Sequence, residues 1–139
     1  MTKAAAVCSL VLGLGFGLPA VYGAWYYARR DEVWTFLGFP AYGEGPFERW
    51  GVPTSVPLLV GFVAVCAAEV VLAALLWRDA SLAPWLAFAL LPVELVFWIG
   101  FALPFGPLLG AARTALVLVA ITQRPVSYTH LTLPTIYSV

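Results

Sequence analysis

Histidine is nearly missing from this chain, with one residue, His130, in 139. Charge is scarce as well: Asp, Glu, Lys and Arg make up 10%, against the roughly 25% usual in soluble domains. Each shortage narrows the chemistry. Without histidine in the body of the chain, haem and zinc sites lack their commonest ligand, so neither a metal nor a cofactor is expected. Seven basic residues balance seven acidic ones, which leaves no basic face to neutralise phosphates and argues against nucleic acid as a partner. The two cysteines, Cys8 and Cys66, do not form a Cys-x-x-Cys pair, so a dithiol relay has no support. Their helical depths differ by about 10 Å, too far for a disulfide, which needs alpha carbons within about 7 Å. Both read as buried apolar thiols. Gly-x-Ser-x-Gly, His-Glu-x-x-His and phosphate-loop motifs are absent. Two carboxylates could do acid–base work, but no nucleophile accompanies them, so the chain is expected not to be an enzyme and to have no catalytic residues.

What is abundant is apolar surface: 63% hydrophobic residues and a mean hydropathy of +0.94. The fold class this implies is all-α, a polytopic membrane protein built as one antiparallel four-transmembrane-helix bundle over residues 1–124. The helices are expected at about 4–27, 55–77, 84–103 and 108–122, with an interfacial loop at 28–54 and no strand in residues 1–122.

The first run, Ala4 to Tyr27, is long enough to span about 30 Å of hydrocarbon and exceeds a signal-peptide core. Tyr22, Trp25, Tyr26 and Tyr27 near its end read as an interfacial belt, so the helix is expected to be retained. Gly13, Gly15 and Gly17 offer a smooth patch for a neighbouring helix, and no strand precedes them, so they are not a nucleotide loop. In the loop that follows, Trp34, Phe36, Phe39, Tyr42, Phe47 and Trp50 alternate with Asp31, Glu32, Glu44, Glu48 and Arg49. That mixture is expected to lie flat on the bilayer surface and cap the bundle. Thr54 or Ser55 can cap the second helix, and Pro57 falls harmlessly in its first turn. Arg78 to Ser81 and Pro104 to Pro107 read as tight turns, which leaves the fourth helix about 15 residues, short of the ~20 that span a bilayer.

Three charges interrupt these runs: Glu69, Glu94 and Arg113. A charge in hydrocarbon costs several kcal/mol unless paired, so the three mark a lock or a working site. Measured from the turn between the second and third helices, Glu69 lies about 12 Å deep and Glu94 about 15 Å. Arg113 enters from the opposite side within reach of that layer, and a guanidinium can bridge two carboxylates. One arginine cannot neutralise two acids, so a neutral layer holds one proton on or between them. Pro92 adds a polar feature by leaving the Phe88 carbonyl without its helical donor.

Residues 125–139, PVSYTHLTLPTIYSV, differ in character, being polar and rich in Thr, Ser and Tyr. Val126 to Thr135 resembles the translation of a transposon-type sequencing adapter. The expectation is a non-native tail, excluded together with His130 from functional reasoning. Orientation is finely balanced: Lys3, Arg78 and Arg124 lie on one side, and Arg29, Arg30 and Arg49 on the other. The acidic aromatic loop favours an external position, with the termini cytoplasmic.

The order of parts resembles the DoxX-like family of small four-helix bacterial membrane proteins. The likeness rests on Gly51-Val52-Pro53 leading into the second helix, on a mid-helix acid followed by small and leucine residues (Glu69 to Trp77), and on a quick turn into the third helix. Ala73 and Ala74 stand where the family usually has glycines. The resemblance implies a multi-pass protein of the bacterial cytoplasmic (inner) membrane, serving as an accessory subunit of a redox-associated complex without a cofactor of its own. Its partners would be the lipid bilayer and a membrane protein or second copy of itself. Two other readings of the chain are a small-molecule or proton-coupled carrier using the Glu/Glu/Arg site, and a quinone- or lipid-binding subunit.

Overall fold

The structure, a computed structural model, describes residues 1–43 and 45–124. The tail at 125–139 and Glu44 lie outside the described residues. The chain runs through α1 (Thr2–Arg30), a hairpin of β1 (Thr35–Phe36) and β2 (Phe39–Pro40), the single turn α2 (Pro46–Arg49), then α3 (Val56–Trp77), α4 (Ala83–Gly100) and α5 (Phe105–Thr122). Helices α1, α3, α4 and α5 are each long and apolar enough to cross a membrane. They form an antiparallel four-helix bundle in which α1 packs on α3 and α5, and α4 closes the ring by packing on the same two.

The helix ends follow local chemistry. Ser55 caps α3 by accepting a hydrogen bond from the Leu58 N–H at 3.4 Å. Thr54 instead donates to Glu48 Oε1 at 2.9 Å, tying the loop to α2. Two turns share one closure. After α3, Asp79 takes a positive φ of 53°, and Ala80 N–H donates to Leu75 O at 3.0 Å. After α4, Ala102 has φ 54°, and Leu103 N–H donates to Trp98 O at 2.7 Å. Both are Schellman closures, which satisfy carbonyls that the helix would otherwise leave bare in lipid.

Several boundaries correct the sequence reading. α4 ends at Gly100, and the second tight turn is Phe101 to Pro104. Phe105, Gly106 and Pro107 belong to α5, because a proline is tolerated in a first turn. α5 therefore has 18 residues and is not short. α1 extends to Arg30 and continues through Pro19. The expectation of no strand fails at residues 35–40. There Leu37 and Gly38 adopt φ values of 53° and 82°, a two-residue turn with positive φ at both positions, which suits a hairpin.

Close approach of the helices depends on glycine. A Cβ on Gly13 would fall 2.8 Å from the Cys66 carbonyl oxygen, and one on Gly17 3.0 Å from Cys66 Cβ. Gly15 faces open space and takes no part in this contact. On the other side of the bundle Trp98 lies across Gly106 and Gly110, where added Cβ atoms would sit 2.4 and 2.5 Å from its ring.

The buried side chains fall into two groups. Nearest the loop are Leu12, Tyr42, Phe47, Phe62, Trp98 and Phe101, among others. Nearest the N-terminus are Ala5, Ala6, Leu72, Leu76, Ala83, Ala87 and Val117. Between these groups the side chain that each helix buries is polar: Ser9, Glu69, Glu94 and Arg113.

Candidate functional site

Four helices each contribute one polar side chain to the layer between the two apolar groups. On α5 the buried face is Gly106, Gly110, Arg113 and Val117, so the glycines that admit Trp98 also aim Arg113 inward one turn later. On α3 the acid is Glu69, between Cys66 and Leu72 on the buried face; on α4 it is Glu94, one turn before Trp98. Arg113 and Glu94 are fully buried and Glu69 is 2% exposed, so no charge of the three reaches solvent or headgroups.

Arg113 meets Glu94 through both ends of its fork: Nη1 donates to Oε1 at 3.0 Å and Nη2 to Oε2 at 2.8 Å. Nη1 also donates to Glu69 Oε1, so one guanidinium joins α3, α4 and α5. The structure thus brings together all three charges singled out in the sequence. Their pairing is unequal. Glu94 receives two donors in the bidentate geometry that arginine and carboxylate favour. Glu69 receives its donor on one oxygen only, and its Oε2 has no hydrogen-bond partner among the described residues.

Ser9 belongs to the same layer. It is fully buried on α1, flanked at helical spacing by Ala5, Leu12 and Gly13 on the buried face. Its depth from Thr2 is about 10 Å, compared with about 12 Å for Glu69 from Trp77 and about 14 Å for Arg113 from Thr122. Its hydroxyl and Arg113 Nε are, with Glu69 Oε2, the buried polar side-chain atoms left without a hydrogen bond among the described residues. The sequence carried a signal for Ser9: a hydroxyl inside an otherwise apolar stretch, Ala4 to Leu12.

The loop aromatics divide. Phe36, Phe39 and Trp50 are 59%, 74% and 59% exposed. Trp34 is half-buried against Tyr22, with ring centroids 4.8 Å apart. Tyr42 and Phe47 are buried and correct the expectation that all six lie on the surface. They enter the mouth of the bundle, where Tyr42 packs at a tilt against Phe62 and edge-on against Phe101 and donates to the Phe16 carbonyl at 2.9 Å. Burial pushes the Tyr42 hydroxyl well above the usual tyrosine range, with a smaller contribution from the nearby Cys66 thiol. Phe47 fills the space over Gly100, where a Cβ would lie 2.3 Å from its ring. The gaps between four helix ends are wide enough for whole rings, which sequence spacing in a glycine- and proline-rich loop does not reveal.

Both cysteines are free; Cys66 is buried and Cys8 only half-buried, against the expectation of two buried thiols. Among the described residues no group of His, Cys, Asp and Glu is arranged to hold a metal ion. Compared with protein-family models, with curated proteins and with solved structures, the chain matches none.

Proposed function

We propose that this chain is a non-enzymatic accessory subunit of a membrane complex, in which Glu69, Glu94 and Arg113 lock the helices rather than turn over a substrate. The observation that carries the reading is the near-complete burial of all three groups, with the arginine's two terminal nitrogens spent on the acids. A carrier site must meet water on at least one side in some state, whereas a lock gains from exclusion of water. The resemblance to DoxX-like proteins adds the finer part of the proposal, a redox-associated complex in a bacterial cytoplasmic membrane, and the acidic aromatic loop, read as external, adds that both termini lie on the cytoplasmic side.

A proton-coupled carrier is the second reading, and the three unpartnered atoms, Ser9 Oγ, Glu69 Oε2 and Arg113 Nε, favour it. One experiment separates the two. Thermal unfolding in detergent is measured for Arg113→Ala, Glu94→Gln and the double variant, and proton flux for the intact chain in liposomes. The lock gives a large loss for Arg113→Ala, partial recovery in the double variant and no flux above empty liposomes. Strictly additive losses reject the pairing. Proton flux that disappears in Glu69→Gln replaces the lock with the carrier.

A further inference from the structure

The outer seam between α1 and α3 is a groove. Its N-terminal part, about 250 Å³, is lined by Ala6, Val7, Leu10, Ala73, Ala74 and Trp77, with Val70 at its far end. A second part, about 150 Å³, starts at Val70 and runs past Gly13 and Gly17 to Val21. The two meet at Val70, so the seam is one apolar channel from Ala6 to Val21, about 22 Å long at the helical rise. Its walls are the exposed Val7, Leu10, Leu14 and Leu18 of α1, and its floor is mainly small residues, alanine and glycine with Cys66, and Val63 and Val70 beside them.

The N-terminal mouth carries a charge. Lys3 Nζ stands 5.3 Å from the centroid of the Trp77 ring, and Trp77 is the last residue lining the groove. No carboxylate forms an ion pair with Lys3 among the described residues; Asp79, at the same end of the bundle, accepts the Thr2 hydroxyl at 2.6 Å. This end of the bundle bears Lys3, Arg78 and Arg124 against the single acid Asp79, while at the other end Arg29, Arg30 and Arg49 are matched by Asp31, Glu32 and Glu48. An occupant of this groove is therefore apolar for the length of one bilayer leaflet or more and anionic where it meets Lys3.

We infer that the α1–α3 groove binds a phospholipid with an anionic headgroup, its phosphate on Lys3 beside the Trp77 indole and one acyl chain along the alanine floor. A parallel second copy of the chain fits less well, because pairing the two seams about a twofold axis doubles the excess of Lys3, Arg78 and Arg124 over Asp79 at the same end. The inference does not depend on the lock, since no residue of the groove belongs to the polar layer.

The test is native mass spectrometry of the delipidated full chain in detergent, titrated with phosphatidylglycerol and, separately, with phosphatidylcholine. The wild type is expected to retain one phosphatidylglycerol more tightly than phosphatidylcholine. Lys3→Gln should weaken phosphatidylglycerol about fivefold, the loss of roughly one headgroup-facing charge, and weaken phosphatidylcholine, whose choline offsets its phosphate, much less. Ala74→Leu, at an exposed position on the groove floor, should weaken both lipids, and Ala67→Leu should repeat the effect farther along; unchanged thermal midpoints show that both variants fold. Equal retention by the wild type and all three variants overturns the site. So does a neutral quinone that displaces phosphatidylglycerol as readily from Lys3→Gln as from the wild type. A dimer that forms on delipidation and is abolished by Ala74→Leu assigns the groove to a second copy instead.

Discussion

The two halves of the bundle interior are built from different materials. Toward the loop the space is filled by rings, with Phe47 to Phe101 at 5.1 Å and Phe62 to Phe101 at 5.3 Å between centroids. Two of the rings in this group, Tyr42 and Phe47, come from the loop and not from any spanning helix. Toward the N-terminus the filling is alanine, leucine and valine, all from the helices themselves. In lipid, helix association rests on packing and interhelical polar contacts rather than on escape from water. The small-residue half achieves that packing by bringing helices together; the aromatic half does it by importing side chains to fill a wider gap. The polar layer sits where the two modes meet.

The contrast can be tested by damage at graded positions. Arg113→Ala should be the most harmful change anywhere in the interior, costing about 3–5 kcal/mol, because it leaves two buried acids without their donor. Thermal unfolding in detergent reads this, and a cost no greater than that of a surface alanine rejects the layer as a stabilising element. Phe47→Ala should cost about 3 kcal/mol and, unlike any change in the other half, should expose residues 31–54 to proteolysis. Leu72→Ala, in the small-residue half, should cost about 2 kcal/mol and leave the loop protected. Equal proteolysis of the two variants would remove the distinction between the halves.

Tyr42→Phe is a gentler probe, with an expected loss of about 1 kcal/mol for one hydrogen bond to the Phe16 carbonyl. It also carries a pH signature. The folded hydroxyl ionises above its ordinary value of 10.0, so its contribution is fully present below pH 10 and is lost as pH rises beyond it. A pH series should show stability falling above pH 10 in the wild type and a shallower fall in Tyr42→Phe. The smallest expected effect is Glu69→Gln, below about 1 kcal/mol, since it keeps the oxygen that accepts from Arg113 and leaves a balanced Arg113–Glu94 pair. Glu94→Gln, which breaks a bidentate contact, should cost more; the reverse order would mean that Glu69 is the principal partner.

The long apolar runs made the four helices legible, and counting residues from the turns was enough to bring Glu69, Glu94 and Arg113 to a common depth. That works because rise per residue is fixed in a helix. The same arithmetic could not say which acid takes the bidentate contact, since this depends on helix rotation by a fraction of a turn. Nor did spacing distinguish Gly13 and Gly17 from Gly15; only the partner helix makes that difference. Pro104 to Pro107 read as a turn because prolines mark both helix ends and helix starts, and the Schellman closure at Ala102 decides which. The loop was least legible. Its aromatics have no periodicity, and whether Tyr42 or Trp50 goes inward is set by the shape of the opening beneath them.

The short turn between α4 and α5 has a consequence for how the chain enters its membrane. An arginine at mid-depth makes a lone segment reluctant to leave the translocation channel, by about 2.5–3.5 kcal/mol on insertion scales. Glu94 and Arg113 lie on helices joined by only four residues, Phe101 to Pro104, so the two charges can meet while both segments are still at the channel. The α4–α5 hairpin is then the unit of insertion, with α5 admitted because α4 is already beside it. Glycosylation mapping should find α5 inserted far less well without α4, and Glu94→Leu should lower its insertion within the intact hairpin. Efficient insertion of α5 alone would mean that its apolar residues outweigh the arginine without help.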